Sequence, residues 1–213
     1  MSPLRTETIQ ASDPMAISVA LEVLQRDGIV AIPTDTVYGL AVRASSANAI
    51  DRLYQVKGRD HIKAIPILLP DAESLSQVAL KPIPAASRLA AGFWPGPLTL
   101  VLFGHPNLPP NLSSDKTIGV RVPDHPVALK LLSAAGPLAV TSANPSGLPP
   151  ARLPSEVLQT LRDKIELVMD AGETPGGQPS TVVNCTGSYP DILRYGPVSE
   201  EEILRVFENR SLS

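Results

Sequence analysis

Apolar positions along the chain alternate between a helical period and short continuous runs, and proline or glycine marks most of the changes. Ile17, Ala20, Leu21 and Leu24 recur at helical spacing between Asp13-Pro14, an N-cap followed by proline at the first helical position, and Gly28. That pattern predicts a first helix. Ile29–Ile32, ended by Pro33, reads as a buried strand. Ile50, Leu53 and Tyr54 share one face of a helix from about 47 to 57, which Gly58 is placed to end. Further runs predict strands at Ile65–Leu69, Leu98–Phe103, Ile118–Val122, Leu138–Thr141, Leu167–Met169, Ser180–Asn184 and Ile192–Tyr195. Helices are expected over Pro84–Ala91, after Pro126 through Ala128, Leu131 and Leu132, and after a Ser199 cap through Ile203, Val206 and Phe207.

Strands and helices therefore alternate without an internal repeat, which predicts an α/β protein. The early strand-helix order argues for parallel pairing and the closely spaced late strands for antiparallel additions. The expectation is a single-domain, twisted, mixed parallel/antiparallel sheet flanked by helices. One domain is expected over residues 10–208, with tails at 1–9 and 209–213.

Composition narrows this picture. A chain of 213 residues with 43% hydrophobic content can bury one large core. Proline, at 23 residues, is about twice ordinary usage and is spread between apolar segments, so it stiffens turns. The single cysteine, Cys185, excludes an intrachain disulfide framework and a Cys-rich zinc site, and reads as a small buried apolar residue. No apolar run approaches bilayer length and no secretory pattern opens the chain, so a cytoplasmic protein with no membrane contact is expected. A net charge of −3 argues against a polycation that coats nucleic acid, while leaving room for a local basic site.

The usual nucleotide fingerprints are absent: there is no GxxxxGK[ST], no GxGxxG and no GxSxG. His61, His105 and His125 are too scattered for a metal motif. What remains is a set of polar loops at strand ends. Thr34, Asp35 and Thr36 after the first strand either close local turns or bind substrate through hydroxyls. Lys57, Arg59 and Lys63 put three cations within seven residues at a helix C-terminus, more than a helix dipole needs, which suggests a polyanion such as triphosphate. Trp94, between two Gly-Pro type turns, reads as a structural corner in preference to a base-stacking platform. Alternation sends Thr117, Gly119 and Arg121 to one face of a strand, where Arg121 needs a carboxylate from the protein or from a ligand. The turn Thr141-Ser142-Ala143-Asn144-Pro145-Ser146-Gly147 is able to bind an anion.

In order, the segments PTDTVYGL, KGR, GFWPGPLTLVL, VRVPDHP, SANPSG, STVVN and RYGP resemble the YrdC-like family of L-threonylcarbamoyladenylate synthases, from about Ile17 to Val206. The chain is similar to the short, stand-alone bacterial form of that family. The resemblance implies a YrdC-like fold with a concave, positively charged face, and a nucleotidyltransferase that converts L-threonine, bicarbonate and ATP into threonylcarbamoyl-AMP and pyrophosphate. Magnesium would accompany ATP, with metal ligands unassigned. The product would be handed to the tRNA threonylcarbamoyl transferase complex for modification of the adenosine beside the anticodon, with possible direct tRNA contact.

By the same resemblance, Thr36, Arg121 and Ser180 hold threonine with the backbone near Val140. Arg59, Lys63, Thr117, Ser142 and Arg194, with Pro150, contact ATP. Lys57, Arg59, Ser142 and Asn144 match the family's Lys-Arg-Ser-Asn tetrad, with Lys57 and Arg59 expected to stabilise phosphate charge. The chain departs from the family at Asp60-His61, in place of a proline after KxR, at Ala64-Ile65, in place of Pro-Leu, and at Leu68, where some archaeal relatives place a threonine-contacting histidine. The competing functions are an RNA-binding module without turnover and carbamoyl transfer in hydrogenase maturation.

Overall fold

The computed structural model describes residues 4–61 and 63–208. The expected tail at 209–213 and the first three residues of that at 1–9 lie outside the described residues. Strands are β1 (Glu7–Gln10), β2 (Val30–Ile32), β3 (Gly39–Arg43), β4 (Ile67–Leu68), β5 (Leu98–Phe103), β6 (Thr117–Arg121), β7 (Leu138–Ser142), β8 (Leu167–Asp170), β9 (Thr181–Asn184) and β10 (Asp191–Arg194). They form one sheet in the order β1-β8-β2-β3-β7-β4-β6-β5-β9-β10. Helices are α1 (Ala16–Gln25), α2 (Ala47–Lys57), α3 (Pro84–Phe93), α4 (Pro126–Ala135), α5 (Pro154–Leu161) and α6 (Glu200–Phe207).

The ends of α2 and α6 are fixed by hydrogen bonds, of which the Ser46 cap was not expected from the sequence. Ser46 accepts from the Ala49 N–H at the start of α2, and Gly58 ends it in the left-handed conformation that lacks a Cβ clash. Ser199 caps α6 in a reciprocal box with Glu202. At α1 the Asp13 side chain accepts from Met15 N–H, and Asp13-Pro14 forms a preceding turn, so the helix starts at Ala16. Two strands and one helix escaped the sequence reading. Gly39–Arg43 forms β3 immediately after the polar loop, and Glu7–Gln10 pairs parallel with β8, so residues 7–9 belong to the sheet. Helix α5 follows Pro154.

The sheet is mixed, as expected, but the early pairing differs. Because the loop at 33–38 turns the chain back, β3 runs antiparallel to β2, and β7 then runs antiparallel to β3. Parallel pairs occur between segments far apart in sequence, β4 with β6 and β5 with β9. On one face, α1 and α4 pack over Val30, Ile32, Ala41, Val140 and Met169, and this core ends at Leu68. The opposite face buries Ile67, Val120 and Leu53 in one core and Leu98, Leu100 and Ile203 in another. The face that continues past Leu68 is therefore left for polar side chains.

Trp94 is a corner residue: its Nε1–H donates to Leu98 O at 2.7 Å and its ring packs partly against the cores. Cys185 lies in the α3–α6 core, where burial pushes its thiol up to about 12. The thiolate is the reactive form, so a colorimetric thiol reagent at neutral pH is expected to leave the native protein unmodified while reacting fully with urea-unfolded protein. Equal rates in both states would contradict this burial.

Candidate functional site

Loops from both halves of the chain meet around a cavity of about 130 Å³. Thr34 and Thr36 come from the loop after β2, Arg59 from the turn after α2, and Thr99 from the start of β5. Arg121 comes from the end of β6, Val140 and Ser142 from β7, Ser180 from the residue just before β9, and Arg194 from β10. Of the residues expected to bind threonine or ATP, Thr36, Arg121, Val140, Ser180, Arg59, Ser142 and Arg194 line this one cavity.

Arg121 is 6% exposed, and the protein itself supplies a carboxylate: Asp35 accepts from its guanidinium. Its Nε–H donates to Gly96 O at 2.8 Å and an Nη1–H to Thr36 Oγ1 at 3.1 Å. Five N–H donors are available on a guanidinium, so two remain for a ligand. Burial lowers its pKa and Asp35 opposes that, and an arginine remains protonated at any physiological pH. Since Thr36 Oγ1 accepts from Arg121, its own proton can go to Thr34 Oγ1, 2.9 Å away, which in turn donates to Val37 O. The hydroxyl orientation is thus set from the arginine outward.

Ser180 is arranged in a similar way. Arg194 donates from Nε to Ser180 O and from Nη2 to Ser180 Oγ, leaving the serine proton for Thr99 Oγ1 at 2.8 Å or for a ligand. A β-bulge makes this possible. Ile192 stands opposite Val183 and Arg194 opposite Val182, so Leu193 is an extra residue that turns Arg194 toward the cavity. Arg59 folds onto its own turn, donating to Lys63 O and Ala64 O.

Burial and the nearby charges of Arg121 and Arg59 lower the Arg194 pKa, and burial lowers that of Arg59. Among the described residues, the salt bridge at this cavity is that of Arg121 with Asp35. Three guanidinium groups line one cavity and Asp35 pairs with Arg121 alone, an arrangement suited to receiving an anion.

Other expected residues lie elsewhere. Lys57 is 3% exposed behind the turn after β7, and its ammonium donates to Ser142 O at 2.5 Å and Asn144 O at 2.8 Å. Burial, with the Arg59 charge, pushes its pKa down to about 7. Lys57, expected to stabilise phosphate charge, here directs its ammonium to the backbone of this turn. Asn144 is also buried and spends its amide on Pro145 O and Leu148 O. The Lys63 side chain is exposed, and Pro150 lies outside the cavity lining. Thr117 stands at the opposite end of β6 from Arg121, bonded to Asp115, beside a separate cavity of about 610 Å³ lined by Phe103 and Leu112. That larger cavity is mostly apolar, without the converging guanidinium groups.

Thr34 and Asp35 belong to the polar loop expected either to close turns or to bind substrate, whereas Thr99 was not expected at the site. Thr99 carried a signal, as the one polar residue in an apolar strand. No group of three or more His, Cys, Asp or Glu able to hold a metal occurs among the described residues. Asp35, the carboxylate at this cavity, is already engaged by Arg121. The donor set therefore does not fit a protein-held magnesium ion.

A family model described as "Telomere recombination", Sua5/YciO/YrdC, matches residues 22–196. A putative threonylcarbamoyl-AMP synthase of Mycobacterium tuberculosis is 36% identical over 206 residues, covering 94% of this chain and 95% of the relative. A threonylcarbamoyl-AMP synthase of Bacillus subtilis is 35% identical, covering 93% of this chain and 58% of its own. The fold superposes on Pyrococcus abyssi Sua5 complexed with L-threonine with a TM-score of 0.88 at 37% identity, covering 96% of this chain and 60% of that one. Escherichia coli YciO matches with a TM-score of 0.82 at 26% identity over 95% of this chain and 100% of that one.

Proposed function

The chain belongs to the Sua5/YciO/YrdC family, and from that premise we propose that it is an L-threonylcarbamoyladenylate synthase acting at the Arg121 cavity. The observation that carries this reading is the meeting of two kinds of recognition in one place. Arg121, with two spare donors, and the oriented hydroxyls of Thr36 and Ser180 suit an amino acid, in a cavity of about 130 Å³. Arg59 and Arg194 have carbonyl and hydroxyl partners, and so suit an anion of higher charge.

In the reaction, the threonine carboxylate pairs with Arg121 and its amine is left to combine with bicarbonate, releasing water and giving a carbamate. A carbamate oxygen then attacks the α-phosphorus of ATP, and the bond to the bridging oxygen breaks to release pyrophosphate. Arg59, Arg194 and the Ser142 hydroxyl stabilise the phosphate charge that develops. Magnesium belongs to this scheme as the nucleotide's own counter-ion. The product serves threonylcarbamoyl modification of tRNA.

With purified protein, ATP, magnesium, threonine and ¹³C-bicarbonate, pyrophosphate release is expected only when threonine is present, and mass spectrometry should find the label in threonylcarbamoyl-AMP. Release without threonine, or an unlabelled product, would overturn the proposal.

A further inference from the structure

We propose that Lys57 and Asn144 are positioning residues, a buried clamp that fixes the Ser142 turn against the cavity, and that neither touches the nucleotide phosphates. This rests on the synthase reading for what the turn does, though the clamp itself stands on geometry. An ammonium has three N–H donors. Three acceptors surround Lys57 Nζ: Ser142 O at 2.5 Å, Asn144 O at 2.8 Å and Asn144 Oδ1 at 3.4 Å. No donor is left over. The backbone of the same residue holds the turn a second time, since Lys57 O accepts from Ser146 N–H at 2.8 Å.

Asn144 is committed in the same way. Its Nδ2 donates to Pro145 O at 3.0 Å and to Leu148 O at 2.7 Å, and its Oδ1 faces Lys57. Lys57 is the last residue of α2, so the clamp ties the helix that launches Arg59 to the strand end that carries Ser142. Arg59 and Ser142 line the cavity and Lys57 and Asn144 do not. Moving the ammonium to a phosphate would strip at least one buried carbonyl of its donor, which an interior polar group does not give up without cost. Two members of the tetrad thus face the ligand and two set where they stand.

The test is a lysine Nζ correlation spectrum of the whole protein, recorded at about pH 6, below the Lys57 pKa, with the signal assigned through bonds. Ligand-free protein is expected to show a slowly exchanging Lys57 Nζ signal. Adding inorganic pyrophosphate with magnesium should move the Nε signals of Arg59 and Arg194 and leave Lys57 Nζ in place. Absence of a protected signal in the free protein, or a Lys57 shift or phosphorus coupling with pyrophosphate, would overturn the clamp. If Arg59 and Arg194 stay unmoved while Lys57 is protected, the phosphate-site reading fails and the clamp stands.

Kinetics give a second readout. Ser142→Ala is expected to lower kcat about tenfold in the native background, and less than twofold once Lys57→Met has displaced the turn. A general loss of stability would instead let the two losses multiply, and that result would overturn the proposal.

Discussion

Replacing Arg121 by alanine is expected to raise the KM for threonine on the order of 100-fold, close to 3 kcal/mol, with a smaller change in kcat at saturating threonine. On the proposed reading, the change deletes the donors for the threonine carboxylate, and it removes the fork that orients Thr36 Oγ1. It also leaves Asp35 without its cation in a buried setting, so stability should fall by roughly 3–5 kcal/mol. Arg121→Lys separates the two effects. It keeps a charge beside Asp35 but loses the planar fork, so it should fold with most of its native stability and still bind threonine about tenfold more weakly. Steady-state kinetics and urea unfolding together read both quantities. Unchanged threonine kinetics in the lysine variant would remove Arg121 from the amino-acid pocket.

Gly176→Ala is expected to impair the same pocket without removing any group that meets the substrate. A Cβ built on Gly176 would stand 2.6 Å from Asp35 O, 2.8 Å from Thr36 Cα and 2.9 Å from Thr36 O. All three are main-chain atoms, and the next residue, Gly177, donates its N–H to Thr36 O. The segment at 174–178 therefore sets where Thr36 sits, and an added methyl must push it. A displacement of even a few tenths of an ångström acts on a hydroxyl whose geometry is fixed by Arg121, so threonine kcat/KM should fall by about 10- to 100-fold.

Gly196 does the same on the other wall, with a built Cβ 2.4 Å from Thr181 N and 2.6 Å from the carbonyl carbon of Ser180. Gly196→Ala should therefore show a loss of the same order. Gly187→Ala is the control, since its nearest neighbour would be Tyr189 O at 3.8 Å. Native kinetics in both Gly176→Ala and Gly196→Ala, measured on variants with native unfolding curves, would contradict the packing argument.

These two predictions differ in how visible they were along the chain. Arg121 could be picked out because one cation on an apolar strand must find a counter-charge, whichever molecule supplies it. Gly176 could not, because a glycine between proline and glycine reads as an ordinary turn until the backbone of Thr36 is seen against it. Lys57 shows the same limit. Its place beside Arg59 suggested a shared role, yet a helix ends at Lys57 and the next two residues turn away, so the neighbours point in different directions.

The sequence by itself determined what local periodicity and end chemistry encode: a helix from about 47 to 57 ended by Gly58, the strand Leu98–Phe103, the Ser199 cap, an α/β domain, and a set of basic and hydroxyl-bearing loops without a P-loop. Those features depend on contacts a few residues apart. The tertiary structure alone decided that Asp35 meets Arg121, 86 residues away, that β3 reverses against β2, that a bulge at Leu193 turns Arg194 inward, and that Lys57 spends its donors on the Ser142 turn. Each of these follows from strand register and from which distant backbone lies alongside, and a period along one segment carries no information about its partner. Most of the residues that line the Arg121 cavity could be named in advance, while which of their neighbours, such as Lys57 and Asn144, lie behind it required the packed molecule.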